Sequence, residues 1–377
     1  MHLSAEIFDY IDRHRQQALE LLCQLARIPA PSNHEQERAA FCRDWLERQG
    51  AKGVYIDEAL NVIYPVGCDG QGPLVVLMAH SDLVFPDTTP LPLSIEDGCI
   101  RCPGIGDDTA NVAALMMTAR YIARQELTPR GRGVLIVINS GEEGLGNLKG
   151  CRAIMERFGH RVEEVISFDC INAAVVDRAV GSKRYRIEVR TEGGHSFRKF
   201  GNRNAIAYLA SMIDSLYTMK VPELGTTTYN VGTIRGGTSV NTIAQQAEML
   251  YEFRSDERES LHIMEKHLDA LVELYRAKGV EVLVEQIGDR PCMGDVPAEK
   301  QRALARRAGK AVTEHFGLEA VFESGSTDCN IPLSMGIPSV CVGCCIGEGA
   351  HTRDEYLKME SLLPGLRLAF DMVLHYF

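Results

Sequence analysis

The chain has 377 residues, of which 45% are apolar and 24% are charged, as in an ordinary globular protein with a sizeable core. Lysine and arginine total 40 against 51 aspartates and glutamates, so the net charge is −11. No basic block is long enough to bind phosphates, and nucleic acid is therefore excluded as an expected partner. No apolar run approaches the ~18 residues of a membrane span, and no signal peptide is recognisable at the start, so we expect a cytoplasmic protein without a membrane partner.

Twelve cysteines are scattered along the chain. Many lie in apolar contexts, and we expect buried, reduced thiols rather than disulfides. Cys99/Cys102 and Cys341/Cys344 have C-x-x-C spacing, but they are far apart and lack flanking histidines. A zinc ribbon is therefore the weaker interpretation of these pairs.

The first 50 residues predict two helices. An apolar stripe runs from Leu19 to Ile28 and ends at Pro29, which indicates the first helix. Ser32 with Glu35 is typical of a capping box that opens a second helix up to Gln49. Both helices precede the first predicted strand.

Alternating strands and helices over 54–169 predict an α/β fold with a helix-covered, mostly parallel sheet. The helices in that stretch are Ala110–Arg124 and Leu148–Phe158. Over 183–289 the order changes to strand-helix-strand-strand-helix-strand with half-exposed strands, which indicates a small ferredoxin-like α+β domain. We therefore predict a discontinuous catalytic domain, 1–182 and 290–377, interrupted by an inserted domain at 183–289.

Carboxylates and histidines directly follow three short apolar runs. Leu74–Met78 leads into His80, and the next two runs lead into Glu142 and Asp169. Carboxyl ends of parallel strands meet at one sheet edge, where open α/β folds bind ligands. Nitrogen and oxygen donors suit divalent metals, zinc first, so the sequence predicts a metallohydrolase. The groups, in chain order, are His80-Ser81-Asp82, Asp107-Asp108, Glu142-Glu143, Asp169 and His351.

Each of these groups, taken alone, has an ordinary alternative. His80 can bind a metal while Asp82 accepts its other N–H, although an H-x-D sequence is often a surface turn. Asp107 can bridge two cations from its glycine-rich turn, although Asp108 and Thr109 can instead cap the following helix. We expect one aspartate for each purpose.

Gly141-Glu142-Glu143-Gly144 is the most informative motif. Two glycines let the adjacent carboxylates point differently, so one can bind metal while the other accepts a proton from a metal-bound water. The alternative is a solvated acidic turn, which is unusual directly after a buried strand. Asp169 and His351, each taken alone, are better explained by a structural role, and only the five groups together favour a site.

These residues, in this order, resemble the dinuclear zinc exopeptidases with an inserted dimerisation domain, a group that includes carnosine-type dipeptidases, aminoacylases and glutamate carboxypeptidase. The likeness is greatest to the tripeptide aminopeptidases (peptidase T), and it covers nearly the whole chain. The motifs that carry it are Ser140–Gly144, Gly193–Ser196, Ser239–Ala244, Tyr251–Arg254 and Gly325–Asp328.

The resemblance implies two divalent ions, zinc first, with cobalt and manganese as alternatives. His80 and Asp169 would hold one ion and Glu143 and His351 the other, with Asp107 bridging them. A cis peptide bond that does not involve proline is also usual after the bridging aspartate.

The resemblance also assigns the catalytic roles. Glu142 would be the general base beside a metal-bridging hydroxide, and Asp82 would orient His80. His195 would reach across a homodimer, formed through the inserted domain, to stabilise the oxyanion. Asn241 and Arg254 would bind the substrate, with a salt bridge at a strand end as the alternative for Arg254.

One motif departs from the family pattern. The bridging motif usually reads Asp-x-Lys-Gly, but Thr109 stands here in place of the lysine.

The expected reaction is hydrolysis of amide bonds in short peptides, as an aminopeptidase on di- or tripeptides. The alternatives are a deacylase of N-acyl or N-carbamoyl amino acids, a carboxypeptidase, and a metal-binding dimer without catalysis.

Overall fold

The structure is a computed structural model that describes residues 3–377. Nine helices lie within this part of the chain: α1 Ala5–Ala26, α2 Gln36–Arg48, α3 Asn111–Arg124, α4 Lys149–Phe158, α5 Ala205–Tyr217, α6 Arg258–Ala277, α7 Ala298–Phe316, α8 Asn330–Ser334 and α9 Leu362–Leu374.

The strands of the same residues vary from two to ten residues in length. They are β1 Tyr55–Ile56, β2 Val62–Val66, β3 Leu74–His80, β4 Ser94–Glu96, β5 Cys99–Arg101, β6 Gly133–Asn139, β7 Val162–Phe168, β8 Ala174–Ala179, β9 Gly181–Arg190, β10 Gly194–His195, β11 Thr227–Gly236, β12 Thr242–Ile243, β13 Gln246–Ser255, β14 Glu281–Arg290, β15 Val321–Gly325, β16 Ser339–Val342, β17 Gly347–Glu348 and β18 Tyr356–Lys358.

Two compact units make up the fold. The first comprises the chain up to Ala179 together with Gly294–Phe377, and the second is Val180–Met293. The first contains a sheet in the order β1-β2-β6-β3-β7-β16-β8-β15, in which β6, β3, β7 and β16 are parallel neighbours. The predicted α/β class with a mostly parallel sheet is confirmed.

Strand β3 shows why this sheet forms. All seven of its residues are buried, since apolar clusters lie on both faces of the sheet. Val75 and Leu77 join the cluster that includes α1, α3 and α9, whereas Val76 and Met78 join the one that includes α4. Because side chains alternate along the strand, β3 contributes to the apolar layer on each face of the sheet. The strand ends with His80, which therefore lies at the carboxyl edge.

The second unit is an antiparallel sheet in the order β11-β13-β9-β14, with α5 and α6 packed against it. Its strands alternate between buried and more exposed residues, as in β13, because one face packs on the helices. The strand-helix-strand-strand-helix-strand order predicted for this segment is present, together with the short pair β10 and β12.

The predicted capping box is wrong. Helix α2 begins at Gln36, and its preceding residue Glu35 makes no side-chain capping bond. The Ser32 hydroxyl instead donates to the Asp82 carboxylate at 2.6 Å, 50 residues away. The Ser32 side chain therefore bonds to the buried Asp82 and not to a backbone amide in the first turn of α2.

The buried Arg38 of α2 connects three segments beside the sheet edge. Its guanidinium donates to the carbonyls of Ile28 and Leu25 and, through Nη1, to the Ser81 carbonyl at 3.0 Å. These bonds satisfy carbonyls at the end of α1 and after β3, where a buried carbonyl without a partner is costly. The twelve cysteines, all within residues 3–377, are free, as expected. No helix of residues 3–377 is long and apolar enough to cross a membrane.

Candidate metal centre

Asp107 lies between two histidines at the carboxyl edge of the parallel sheet. Its Oδ1 is 3.0 Å from His80 Nε2, and its Oδ2 is 3.0 Å from His351 Nε2. Each oxygen of one carboxylate therefore faces a different imidazole, which is the arrangement that a carboxylate bridging two ions requires. The peptide bond between Asp107 and Asp108 is cis, as the resemblance implies.

Glu143 lies beside the same histidine as one oxygen of Asp107. Its Oε1 is 3.0 Å from His351 Nε2, and ligand-type atoms of Glu143, His80 and Asp107 lie within 4.8 Å of one another. Ligands about 2.0–2.1 Å from a tetrahedral zinc ion are roughly 3.3 Å apart. The separations therefore fit a shared cation.

Asp169 follows β7 and groups with His80 and Asp108, whose ligand-type atoms also lie within 4.8 Å of one another. Both Asp108 oxygens are already engaged, one by the His80 amide at 2.7 Å and the other by Asn111 Nδ2 at 2.6 Å. Asp169 is therefore the carboxylate better suited to an ion beside His80.

The alternative that Asp108 and Thr109 cap α3 is wrong, because no side-chain capping bond is present at its start. The Thr109 hydroxyl donates to the Gly104 carbonyl at 2.5 Å and accepts from Arg38 Nη1 at 3.4 Å. The residue that replaces the usual lysine is thus buried and stabilises the loop that carries Asp107.

Asp82 is fully buried and connects two strand ends. It accepts the backbone N–H groups of Glu142 and Glu143, both at 2.9 Å, and the Ser32 hydroxyl. The His80 Nδ1 lies 3.2 Å from the Asp82 carbonyl and 3.5 Å from its carboxylate, which leaves Nε2 facing Asp107. Burial would raise the pKa of Asp82, but the His80 ring and the other donors hold it below its ordinary value.

Crowded carboxylates give the site an excess of negative charge. Burial, together with the charges of Glu142 and Asp107, raises the pKa of Glu143 to about 7, although the bond to His351 opposes the shift. Burial and the charge of Asp107 likewise raise the pKa of Asp169 to about 6. Divalent cations would supply the missing positive charge, so the donor set fits two metals that prefer nitrogen and oxygen ligands.

The Glu142-Glu143 turn is buried rather than solvated. Both side chains are about 5% exposed, and the flanking Gly141 and Gly144 have φ values of +62° and +47°. Left-handed φ values at both ends favour glycine, and they let the turn reverse within a few residues. Two adjacent acids are therefore held under the protein surface at the end of β6.

Three predicted residues lie in the second unit. His195 of β10 pairs with Thr242, next to Asn241, so the ribbon brings these two residues together. The amides of Phe197 and Arg198 donate to His195 Nδ1 at 3.3 and 3.5 Å, which favours a proton on Nε2.

Arg254 donates to both oxygens of Glu252, at 3.1 and 3.2 Å. This is the salt bridge considered as its alternative role. Contact of Asn241 or Arg254 with a substrate stays a prediction.

A family model described as peptidase family M20/M25/M40 matches residues 76–375. The chain belongs to this family. Members of the M20 family are hydrolases that use dinuclear metal sites, which agrees with the pairing of His80 and His351 across Asp107. The resemblance to dinuclear metallopeptidases is thereby confirmed.

Known relatives match most of the chain. The uncharacterized protein YqjE of Bacillus subtilis is 24% identical over 94% of this chain and 97% of its own. An acetylornithine deacetylase of Myxococcus xanthus is 27% identical and covers 81% of each chain. The crystal structure of a Staphylococcus aureus tripeptidase superposes with a TM-score of 0.75 at 22% identity, over 95% of this chain and 97% of that one, which shows a shared fold.

Glu355 was missed by sequence reasoning. Its fully buried carboxylate accepts the amides of Gly104 at 2.6 Å, Gly106 at 2.8 Å and Asp107 at 2.9 Å. The loop that presents Asp107 is therefore held by a residue almost 250 positions later. No local spacing signals such a contact.

Glu35 was missed because it was assigned to a helix cap. It is fully buried, accepts the Asn33 amide at 2.8 Å and the Gly141 amide at 3.0 Å, and lies 3.7 Å from Lys149 Nζ. Burial raises the pKa of Glu35. With Asp82 it gives the Glu142-Glu143 turn two buried acidic anchors.

We predict that Glu355→Gln weakens metal binding in this M20/M25/M40 protein. The amide nitrogen of glutamine cannot accept a hydrogen bond from a backbone N–H. At least one bond to the Asp107 loop would therefore be lost, and the loop would be held less firmly. Loss of a group that orients a metal ligand typically weakens affinity about 10- to 100-fold. Competition with a zinc-binding dye measures the change.

Glu360→Gln is the matched control, since it removes the same charge from an exposed glutamate nearby. Its zinc affinity should equal that of the unaltered protein. If Glu355→Gln also binds zinc with unchanged affinity while folding normally, the carboxylate has no role in placing Asp107.

Proposed function

We propose that this chain is a metal-dependent hydrolase of amide bonds in short peptides, an aminopeptidase on di- or tripeptides. The observation that carries the proposal is Asp107, whose two oxygens each face a different histidine. The fold and the family membership support a hydrolase, and the motif likeness to tripeptide aminopeptidases supports the substrate class.

The donor set suggests how two ions would be held. His80 and Asp169 would hold one, Glu143 and His351 the other, and Asp107 both. Zinc is proposed first, and cobalt and manganese suit the same donors. When bound, the ions would supply Lewis acidity and lower the pKa of a coordinated water towards ~7.

Glu142 is proposed as the general base. Its backbone amide is fixed by Asp82, and its neighbour Glu143 faces His351, which supports separate tasks for the two carboxylates. Glu142 would take the proton of the attacking water and pass it to the leaving amine. Burial keeps bulk water from competing for that proton.

A homodimer through the second unit is part of the proposal. Strand β11 is an edge strand of that unit, and its Ile234 is 53% exposed, so backbone groups and an apolar side chain are available to a second copy. His195 of the partner subunit would donate from Nε2 to the developing oxyanion. The expected cytoplasmic location stays a prediction.

A second candidate is removal of an acyl group from an amino acid. It is favoured by the acetylornithine deacetylase that matches 81% of this chain at 27% identity. The same buried acids and histidines would serve either amide, and a carboxypeptidase would also use them. Only the groups that bind the ends of the substrate distinguish these reactions.

We predict that the zinc-loaded protein releases the N-terminal residue from tripeptides and dipeptides faster than it cleaves N-acetyl amino acids. Mass spectrometry of a small library, with free and N-acetylated forms of each peptide, measures both rates. Faster turnover of acylated amino acids would support the second candidate. Release of the C-terminal residue would identify a carboxypeptidase.

Glu142→Ala tests the role of Glu142 as the general base. It should keep its zinc and lose turnover about 100-fold or more, because it removes the proton acceptor but no proposed ligand. Glu360→Ala, on an exposed glutamate, should keep both zinc and turnover. Full activity of Glu142→Ala would exclude it as the base.

The dimer is tested by complementation. Glu142→Ala and His195→Ala are each expected to be inactive, but mixed dimers contain one site with both residues intact. After random subunit exchange the mixture should regain about a quarter of the original activity. Absence of recovery after verified exchange would place His195 in its own subunit's site, and full activity of His195→Ala alone would place it outside the reaction.

A further inference from the structure

A groove of about 320 Å³ lies in the first unit, among helices α1, α2 and α3. Its lining includes Arg120 and Arg124 from α3, Trp45 from α2, Gln49 directly after that helix, and Glu20 from α1. Two arginines one helical turn apart therefore face the same groove. None of these residues has a role in the proposed reaction.

Arg120 is the unusual member. It is only 8% exposed, and its Nε is buried without a hydrogen-bond partner among residues 3–377. Within those residues its guanidinium forms no ion pair, and its central carbon lies 5.9 Å from the centre of the Tyr10 ring. A buried charge without a counter-ion is rare, because the lost hydration is normally replaced by a paired group.

The neighbouring Arg124 adds to the uncompensated positive charge of Arg120. Burial lowers the pKa of Arg120, Tyr10 opposes the shift, and the nearby Arg124 adds to it. Arg124 Nη2 donates to Gln49 Oε1 at 3.0 Å, so the second guanidinium is held beside the first by an uncharged partner. An anion in the groove would give both guanidinium groups a partner of opposite charge.

We propose that this groove is a binding site for a small oxyanion, preferentially a carboxylate, with the Arg120 guanidinium as its main donor. The planar fork of arginine matches the two oxygens of a carboxylate. Glu20, whose exposed carboxylate accepts from Gln16 at 3.3 Å, lines the same groove and would repel a doubly charged ion more than a singly charged one. The indole of Trp45 offers an apolar surface to the rest of the ligand.

The groove is distinct from the metal centre. Helix α3 starts at Asn111, which bonds to Asp108, and Arg120 lies nine residues further along the helix. At 1.5 Å per residue the two ends are about 14 Å apart along the axis. A ligand at Arg120 is therefore a second ligand, separate from a substrate held by Asp107.

Trp45 is the only tryptophan of the chain, so its fluorescence reports on the groove. Sodium acetate and sodium phosphate are titrated separately into the metal-loaded protein at constant ionic strength, with sodium chloride as the reference salt. Acetate should give a saturable change in emission that chloride does not give. Phosphate, if it acts at all, should do so at higher concentration.

Arg120→Gln should weaken the apparent acetate affinity about tenfold or more, since one charged hydrogen-bonding group is lost. Arg124→Gln should weaken it as well, and it provides a test on an exposed residue should Arg120→Gln fail to fold. Arg130→Gln, on an exposed arginine outside the groove, should leave it unchanged.

The proposal is overturned if neither anion gives a saturable response, or if both groove variants respond as the unaltered protein does. A response to phosphate alone that depends on Arg120 would overturn the preference for a carboxylate.

Discussion

The buried Asp82 carboxylate is the constraint on which the site depends. It accepts both backbone amides of the Glu142-Glu143 turn and lies beside His80 Nδ1, so the ends of two neighbouring strands share one anion. Parallel strands bring these ends to one edge, but they do not orient the side chains beyond them. A fully buried charge with several donors can do so, because breaking any one bond leaves a group without water or partner.

Residues from the far end of the chain complete the arrangement. His351 faces the second oxygen of Asp107, and Glu355 binds the amides of the loop that carries Asp107. Burial and, after it, the neighbouring acids raise the pKa values of Glu143 and Asp169, and bound cations would relieve that repulsion. Folding of the first unit thus brings together an excess of carboxylates, whose charge bound cations would offset.

The buried strands of the sheet and the position of the site at its carboxyl edge were predictable from sequence. Fully apolar runs such as Leu74–Met78 indicate strands buried on both faces, and the residue after such a run must lie at the sheet edge. The roles of Glu355 and Ser32 were not predictable, because their partners are about 250 and 50 residues away and local rules suggest nearer ones. Arg120 was likewise hidden, since periodicity marks a helix face but not whether a buried charge finds a partner.

Metal content measures the central claim most directly, because only a bridging Asp107 links the occupancy of both ions. After loading with zinc and removal of excess metal, the unaltered protein should retain about two ions per chain and His351→Ala about one. Asp107→Ala, checked for normal folding, should retain fewer than one, since both ions lose a ligand together. Retention of two ions by Asp107→Ala, or of a single ion by the unaltered protein, would contradict the account.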